Sequence, residues 1–317
     1  MTILDHSPSA TGEIPPVSKL GDRVFGGLAR GAGILILVTL AAVALFLFSE
    51  AWPALTGDVT VLDGGDTLVE YIGPLVFGTF LAATLALVLA TPMAVAVALF
   101  ITHYAPKRVA LTLGYFVDLL AAIPSVVFGL WGITVFAPLL AADVYPWLEA
   151  NLGFIPLFAG PASTSGRTMM TAGMVLAVMI LPIITAISRE VFLQTPRLHE
   201  EASLALGATR WEMIRQAVLP YGRSGVISGA MLGLGRALGE TMAVAIILSP
   251  ADLYSLNLIS NQNSNTIAAN IALKFPESSG LEVNRLIASG LVLFAITFVV
   301  NIGARRIARA GFSGAAG

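Results

Sequence analysis

Long apolar runs separated by short polar connections dominate the chain, and their lengths predict helices that cross a lipid bilayer. Each helical residue rises about 1.5 Å, so about 20 apolar residues are needed to traverse the hydrocarbon core. Six segments meet that requirement: 25–51, 72–102, 109–142, 168–188, 224–249 and 286–304. The stretches 31–49, 168–188 and 286–304 carry no charge, whereas the fifth segment is interrupted by Arg236 and Glu240. Pro92, Pro124 and Pro182 fall inside predicted spans and should kink them, because proline lacks an N–H and crowds the preceding turn. Packed neighbours can re-satisfy the carbonyls this frees. The expected fold class is therefore an all-α integral membrane protein with six transmembrane helices.

Composition strengthens that expectation. Hydrophobic residues make up 56% of the 317 and charged residues 11%, and the mean hydropathy is +0.86, far from soluble-domain usage. Cysteine is absent, which excludes disulfide frameworks, thiolate nucleophiles and thiolate metal sites. Residues 1–24 are polar and broken by Pro8, Pro15 and Pro16, unlike the basic-then-apolar opening of a cleaved signal, and read as a tail. The first apolar run is too long for such a signal and reads as a retained span. The expected organisation is tail 1–24, a membrane domain 25–310 and a short tail 311–317.

Basic residues favour cytoplasmic loops, and this sets the orientation. With the N-terminus inside, thirteen of the seventeen Lys and Arg residues are cytoplasmic, among them Arg30, Lys107, Arg189, Arg223 and Arg305. Only Arg167, Lys274 and Arg285 face out, and Arg236 lies in the membrane. The first external loop carries Glu50, Asp58, Asp63, Asp66 and Glu70 without a basic residue, in agreement. Both termini are then cytoplasmic. The external segment 250–285 begins rich in Asn and Ser and turns semi-apolar over 266–275, where a short interfacial helix fits.

The longest cytoplasmic connection, 189–223, predicts a helical hairpin. Pro196 sits near a first helical position, Glu200 and Glu201 suit the first turn, and Leu198, Ala202, Ala205 and Leu206 share one face. Gly207 is placed to stop this helix, and a second, 211–218, should end at Leu219-Pro220. Two readings are open on pattern alone: a surface connector, or a face that docks a partner. The spacing Glu201-Ala202-Ser203, then Gly207, then Ala217-Val218-Leu219-Pro220 resembles the EAA loop of permeases in ATP-binding-cassette importers. Ser203 replaces an Ala and Ala217 an Ile, with the spacing intact. The resemblance implies a type I (MetI-like) permease fold whose first loop helix, here carrying Glu200, Glu201, Ala202, Ala205, Leu206 and Gly207, is a coupling helix inserted into an ATPase subunit. The phosphate-cradling Gly-x-x-x-x-Gly-Lys-Ser/Thr pattern is absent, since none of Lys19, Lys107 and Lys274 follows a glycine. ATP and Mg would then be bound by another chain, and this one carries neither cofactor nor catalysis.

Arg236 and Glu240 are the most informative charges. Arg236 lies thirteen residues beyond Arg223, about 20 Å along a helix. An Arg at mid-span costs roughly 2.5–3.5 kcal/mol even on the lenient scale, so something must offset it. Glu240, four residues on, would sit on the same face of a continuous helix and neutralise it. Two roles are open: an ion pair that fixes packing, or a guanidinium fork that receives an oxyanion while Glu240 holds it and moderates affinity. Ser125 and Thr241 could add hydroxyl donors, although helical Ser and Thr more often bond their own backbone. Gly225, Gly229 and Gly233, and Gly235 with Gly239, have the four-residue spacing of close helix packing, with a passage lining as the alternative.

The stretch from Gly233 to Met242, with Ile123-Pro124-Ser125-Val126 in the third span, narrows the resemblance to the PstC-type permeases of phosphate-specific transport. That resemblance implies a bacterial cytoplasmic-membrane subunit paired with a PstA-type permease, a PstB-type ATPase dimer and an external PstS-type phosphate-binding protein, with Arg236 and Glu240 matching the family's buried Arg and Glu. Sulfate, molybdate or phosphonate are alternative substrates, and a stand-alone anion carrier or channel a further one. Asp118 reads as reaching water or a neighbouring Arg, and His103 and His199 as solvated residues without metal-ligand spacing. Arg167 and Arg285 could draw anions to the outer mouth or touch a binding protein. Neither a Gly-x-Ser-x-Gly elbow nor a His-Glu-x-x-His helix is present, which argues against an intramembrane hydrolase. Nothing suggests nucleic-acid binding.

Overall fold

The computed structural model describes residues 20–56, 67–251 and 253–313. Most of the N-terminal tail, the acidic positions Asp58, Asp63 and Asp66, and residues 314–317 lie outside the described residues. The first helix, α1, is Leu20–Thr56. Its portion through Phe46 forms a unit of its own, apolar all round and exposed along nearly its whole length; a helix of that kind is solvated by lipid.

The remainder is a bundle built on α2 (Leu68–Leu99), α7 (Met169–Leu193), α10 (Leu219–Leu238) and α13 (Leu281–Ser313). A capping box starts α2: Glu70 N–H donates to Thr67 Oγ1 at 3.2 Å and Thr67 N–H to Glu70 Oε2 at 2.7 Å. Along it Ala82, Ala86, Ala90, Ala94 and Ala98 recur every fourth residue and are each at most 1% exposed. This seam packs with Val175, Leu176, Met179, Ile180 and Ile184 of α7. On the other flank of α7, glycines of α10 admit its branched side chains: Gly225 lies against Val191, Gly229 against Ile187 and Gly233 against Ile184. In lipid the solvent is as apolar as leucine, so such close approach and its dispersion gain hold helices together. The Gly225-Gly229-Gly233 spacing therefore serves packing. Gly235 departs from it, with nothing within 4 Å of an added Cβ.

Helices occupy the first, second, fourth and sixth expected spans, but the third and fifth are interrupted. The path expected at 109–142 comprises α3 (Lys107–Ala121), a break at 122–124, then α4 (Ser125–Trp131), α5 (Ala137–Leu139) and α6 (Tyr145–Leu152), joined by the π-helical turns Gly132–Phe136 and Leu140–Val144. Pro124 makes the break, having no N–H and disfavouring helix at Ile123. Helix then continues ten residues beyond the expected end. Pro138 and Pro146 do not stop it, because each falls in a first turn, where an N–H is dispensable. Gly114 of α3 lies beside Arg189 and Gly132 beside Val175, so α3 and α4 follow α7 antiparallel, one after the other.

The fifth span ends α10 at Leu238 and restarts as α11 (Met242–Ile247) after Gly239, Glu240 and Thr241. Among the described residues, five helical stretches are long and apolar enough to cross a membrane: Leu20–Thr56, Leu68–Tyr104, Ser125–Leu152, Met169–Leu193 and Leu281–Ala304. The interrupted fifth is not among them. The segment beyond α11 is irregular apart from a two-residue parallel pairing of β1 (Pro250–Ala251) with β2 (Asn263–Ser264), and its stretches 258–260 and 263–266 are buried. Asn263 organises it, accepting from Met169 N–H at 2.9 Å and donating to the Arg167 and Ser260 carbonyls at 3.1 and 3.0 Å. The buried parts of this irregular backbone are tolerated because protein takes up their polar groups. The short helix expected near 266–275 is present as α12 (Ile267–Lys274), but its first turn is buried rather than interfacial, with Ile267 N–H on Thr79 Oγ1 at 3.0 Å.

The glycine seam makes a discriminating prediction. A Gly225→Leu substitution puts Cβ 2.2 Å from the stiff Val191 side chain and should destabilise the bundle by about 1–3 kcal/mol. Gly235→Ala should cost nothing and gain up to about 1 kcal/mol of helix propensity. Thermal unfolding in detergent checks both.

Candidate substrate cleft and coupling surface

The break after α10 decides where its charges go. Gly239 leaves helical geometry at φ −95°, ψ 3°, so the next residues no longer follow the α10 face. Arg236, in the last turn, opens onto a cleft of about 570 Å³ lined also by Ile183 of α7, Ser228, Met231 and Gly235 of α10, and Asn301 of α13. The guanidinium is half-buried and has no ion-pair partner among the described residues. Glu240 is instead only 8% exposed and turns to the start of α11, where its Oε1 accepts from Ala243 N–H at 3.2 Å. The expected Arg236–Glu240 pair is thus corrected: the i, i+4 relation needs an unbroken helix, and Glu240 caps the next one.

Ser125 and Thr241 do not line the Arg236 cleft. An added Cβ on Gly129 would meet Ala243, and one on Gly132 would meet Ile247, so α4 and α11 run side by side in the same direction. One turn back, that register sets Ser125 level with 239–241. The breaks of the third and fifth spans are therefore adjacent, and two helix N-termini begin there together. Thr241 Oγ1 donates to the Gly239 carbonyl at 3.2 Å. Sequence reasoning missed Asn301, although a lone amide in the apolar run of α13 was a usable signal.

Other charged candidates resolve differently. Asp118 sits 3.7 Å from Arg189, the neighbouring-Arg reading. Arg167 donates from Nη2 to the Leu248 carbonyl at 3.0 Å. Arg285 is buried, its guanidinium 3.9 Å above the Tyr71 ring. Neither offers a free outer-surface charge.

The loop between α7 and α10 forms α8 (Arg197–Ala205) after Pro196, and Gly207 ends it at φ +89°, which L side chains rarely adopt. No residue of α8 is buried. Glu201, Ala202, Ala205 and Gly207 are exposed, and Leu206 is 90% exposed; Glu200 alone turns inward. The second helix, α9 (Arg210–Met213), opens with a Thr209–Glu212 capping box. It does not end at Pro220: a π-helical turn, Ile214–Val218, leads into α10, whose first turn accommodates that proline.

A helix bundle with an open charged cleft between its spans and an unburied loop helix defines a polytopic membrane permease. Residues 90–310 match the model of the binding-protein-dependent transport system inner membrane component family, and the chain belongs to that family. It is 46% identical over 303 residues to the phosphate transport system permease protein PstC 2 of Mycobacterium tuberculosis, covering 92% of this chain and 93% of the relative. It is 43% identical over 316 residues to PstC of Mycobacterium leprae, covering 96% and 98%. Among solved structures, a chain of a bacterial alginate ABC transporter superposes with TM-score 0.62 at 17% identity, covering 92% of this chain and 96% of that one. The inward-facing MetNI methionine ABC transporter gives 0.51 at 17% identity, covering 77% and 95%. At such identities these two establish the fold alone.

Two predictions follow from the caps. Glu240→Ala removes the acceptor for Ala243 N–H and should lower stability by about 1 kcal/mol, with Glu240→Gln costing less. Arg236→Gln should leave the unfolding temperature unchanged, which an Arg236–Glu240 ion pair would not allow. At Glu212, hydrogen bonds from the Thr209 backbone and then its side chain hold the carboxyl below its ordinary range. A depressed carboxylate stabilises above the unfolded value and loses that contribution as pH falls through the folded one. Acidification through the lower carboxylate range should therefore fray α9, with an NMR titration of Glu212 showing a depressed midpoint.

Proposed function

We propose that this chain is the membrane-spanning permease subunit of an ATP-driven importer, and that it forms, with a second permease of PstA type, the pathway for inorganic phosphate across the cytoplasmic membrane. The observation that carries the reading is Arg236, a guanidinium without a counter-charge among the described residues, opening on a cleft between α7, α10 and α13 beside a broken span. Charge at such depth is costly and marks a route. Guanidinium offers a planar fork of donors suited to a tetrahedral oxyanion, and its weak hydration lowers the cost of meeting one away from bulk water. With no carboxylate bound to it among the described residues, Arg236 is available to substrate. Glu240 acts at one remove, fixing the restart of α11 and so the end of α10 that presents Arg236. Discontinuous helices near the bilayer midplane are a recurrent way for transporters to build such sites.

Six crossings fit the described helices: α1, α2, the α3-to-α6 path, α7, the α10–α11 pair and α13. Both termini are then cytoplasmic, as the basic residues favour. The open side of the cleft suits closure by the second permease. Exposed α8 suits docking to a PstB-type ATPase dimer, which would bind ATP and Mg and do the hydrolysis, and a PstS-type binding protein would deliver phosphate from outside. The names of the relatives support phosphate over other oxyanions.

The experiment is reconstitution of the importer in proteoliposomes. Arg236→Gln should reduce phosphate uptake to background while the complex still assembles, and phosphate should stimulate ATP hydrolysis where sulfate does not. Normal uptake by the variant would remove Arg236 from the pathway, and stimulation by sulfate alone would overturn the substrate.

A further inference from the structure

One polar contact between the membrane bundle and the cytoplasmic hairpin is left unused by the mechanism above. His103 lies in a π-helical turn, Phe100–Tyr104, at the cytoplasmic end of α2, a distortion frequent at functional positions. Its side chain is only 9% exposed, unlike the solvated residue its place near a loop suggested, and Nε2 is 3.6 Å from Glu200 Oε1, an ion pair when the ring is protonated. The other ring nitrogen, Nδ1, is 2.6 Å from Thr102 Oγ1, which orients the imidazole. Glu200 is the one member of the expected coupling set that faces the bundle rather than the cytosol. Beside this contact, Met213, Ile214 and Val218 pack on Ala98 and Leu99 of α2 and on Phe192 of α7. The hairpin therefore meets α2 at one apolar and one polar point.

We infer that His103 is a positioning residue through which movement of α8 is handed to α2. The inference rests on reading α8 as the helix that an ATPase moves. From His103 onward the path is solid: the alanine seam of α2 packs on α7, α7 packs into the glycine seam of α10, and α10 ends in Arg236. The apolar contact can slide, since it has no directional bonds. The His103–Glu200 contact fixes where along α8 the load is taken, because it joins two oriented side chains.

The test uses the whole importer in proteoliposomes and reads the number of anions carried per ATP hydrolysed, with whichever oxyanion the unmodified complex takes up. Failure of the phosphate reading thus leaves it intact. His103→Ala should keep ATP hydrolysis and ATPase docking while the carried-per-hydrolysed ratio falls about tenfold, within the range of ordinary coupling energies. Glu200→His alone should lower the ratio as well. Combining His103→Glu with Glu200→His restores an opposed pair and should recover most of the ratio, which a loss of packing would not. An unchanged ratio in His103→Ala overturns the inference. So does loss of ATPase docking in His103→Ala that the exchanged pair does not repair, which would make the contact a brace of the hairpin.

Discussion

A helix in hydrocarbon cannot leave an amide or carbonyl unpaired, so a span can be interrupted only where protein or water receives the freed groups. This constraint organises the permease. The third span breaks at Pro124 and the fifth at Gly239–Thr241, and the two breaks lie side by side because Gly129 and Gly132 bring α4 against α11. Glu240 and Thr241 then take up backbone groups at the fifth-span break. What remains is a charged residue at the end of α10, turned toward an opening that neither neighbour fills.

The seams flanking α7 make those interruptions affordable in structural terms. Alanines of α2 on one flank and glycines of α10 on the other let three helices approach closely enough for dispersion contacts to dominate. A helix stopped midway loses the continuity of its own hydrogen-bond ladder, but it remains located by a continuous neighbour. α7 supplies that neighbour, uninterrupted from Met169 to Leu193 despite Pro182. Small residues thus do two jobs in α10: Gly225, Gly229 and Gly233 dock it, while Gly235 leaves the cleft open beside Arg236.

How much of this could be read from the chain follows from the range of each signal. The apolar runs, the Pro196 start and the Gly207 stop of α8 are local signals, and the structure places helix at them apart from the breaks in the third and fifth spans. The break after Gly239 was not legible, because Gly-Glu-Thr at the end of an apolar run continues a helix as readily as it ends one. The error carried forward into the expected Arg236–Glu240 pair, which is right in spacing and wrong in geometry. Pro124 was read as a kink, whereas without an alternative donor the helix stops there altogether. His103 was discounted for another reason: its partner Glu200 lies 97 residues away in sequence, and only packing reveals it.

On the proposed reading of Arg236 as the anion's contact, separating the two charges changes what release of a substrate requires. A guanidinium already neutralised by a carboxylate one turn away would have to exchange partners each time an anion arrived. One with no ion-pair partner among the described residues needs no exchange; its affinity is set by how much water and how many further donors the cleft supplies. Motion of α10 relative to α7 and α13 alters both, since those helices form the walls around Arg236. Affinity can then be raised or lowered by wall movement without any change in the charge itself. On the proposed reading of α8 as a coupling helix, its push on the far end of the same bundle is in a position to do that.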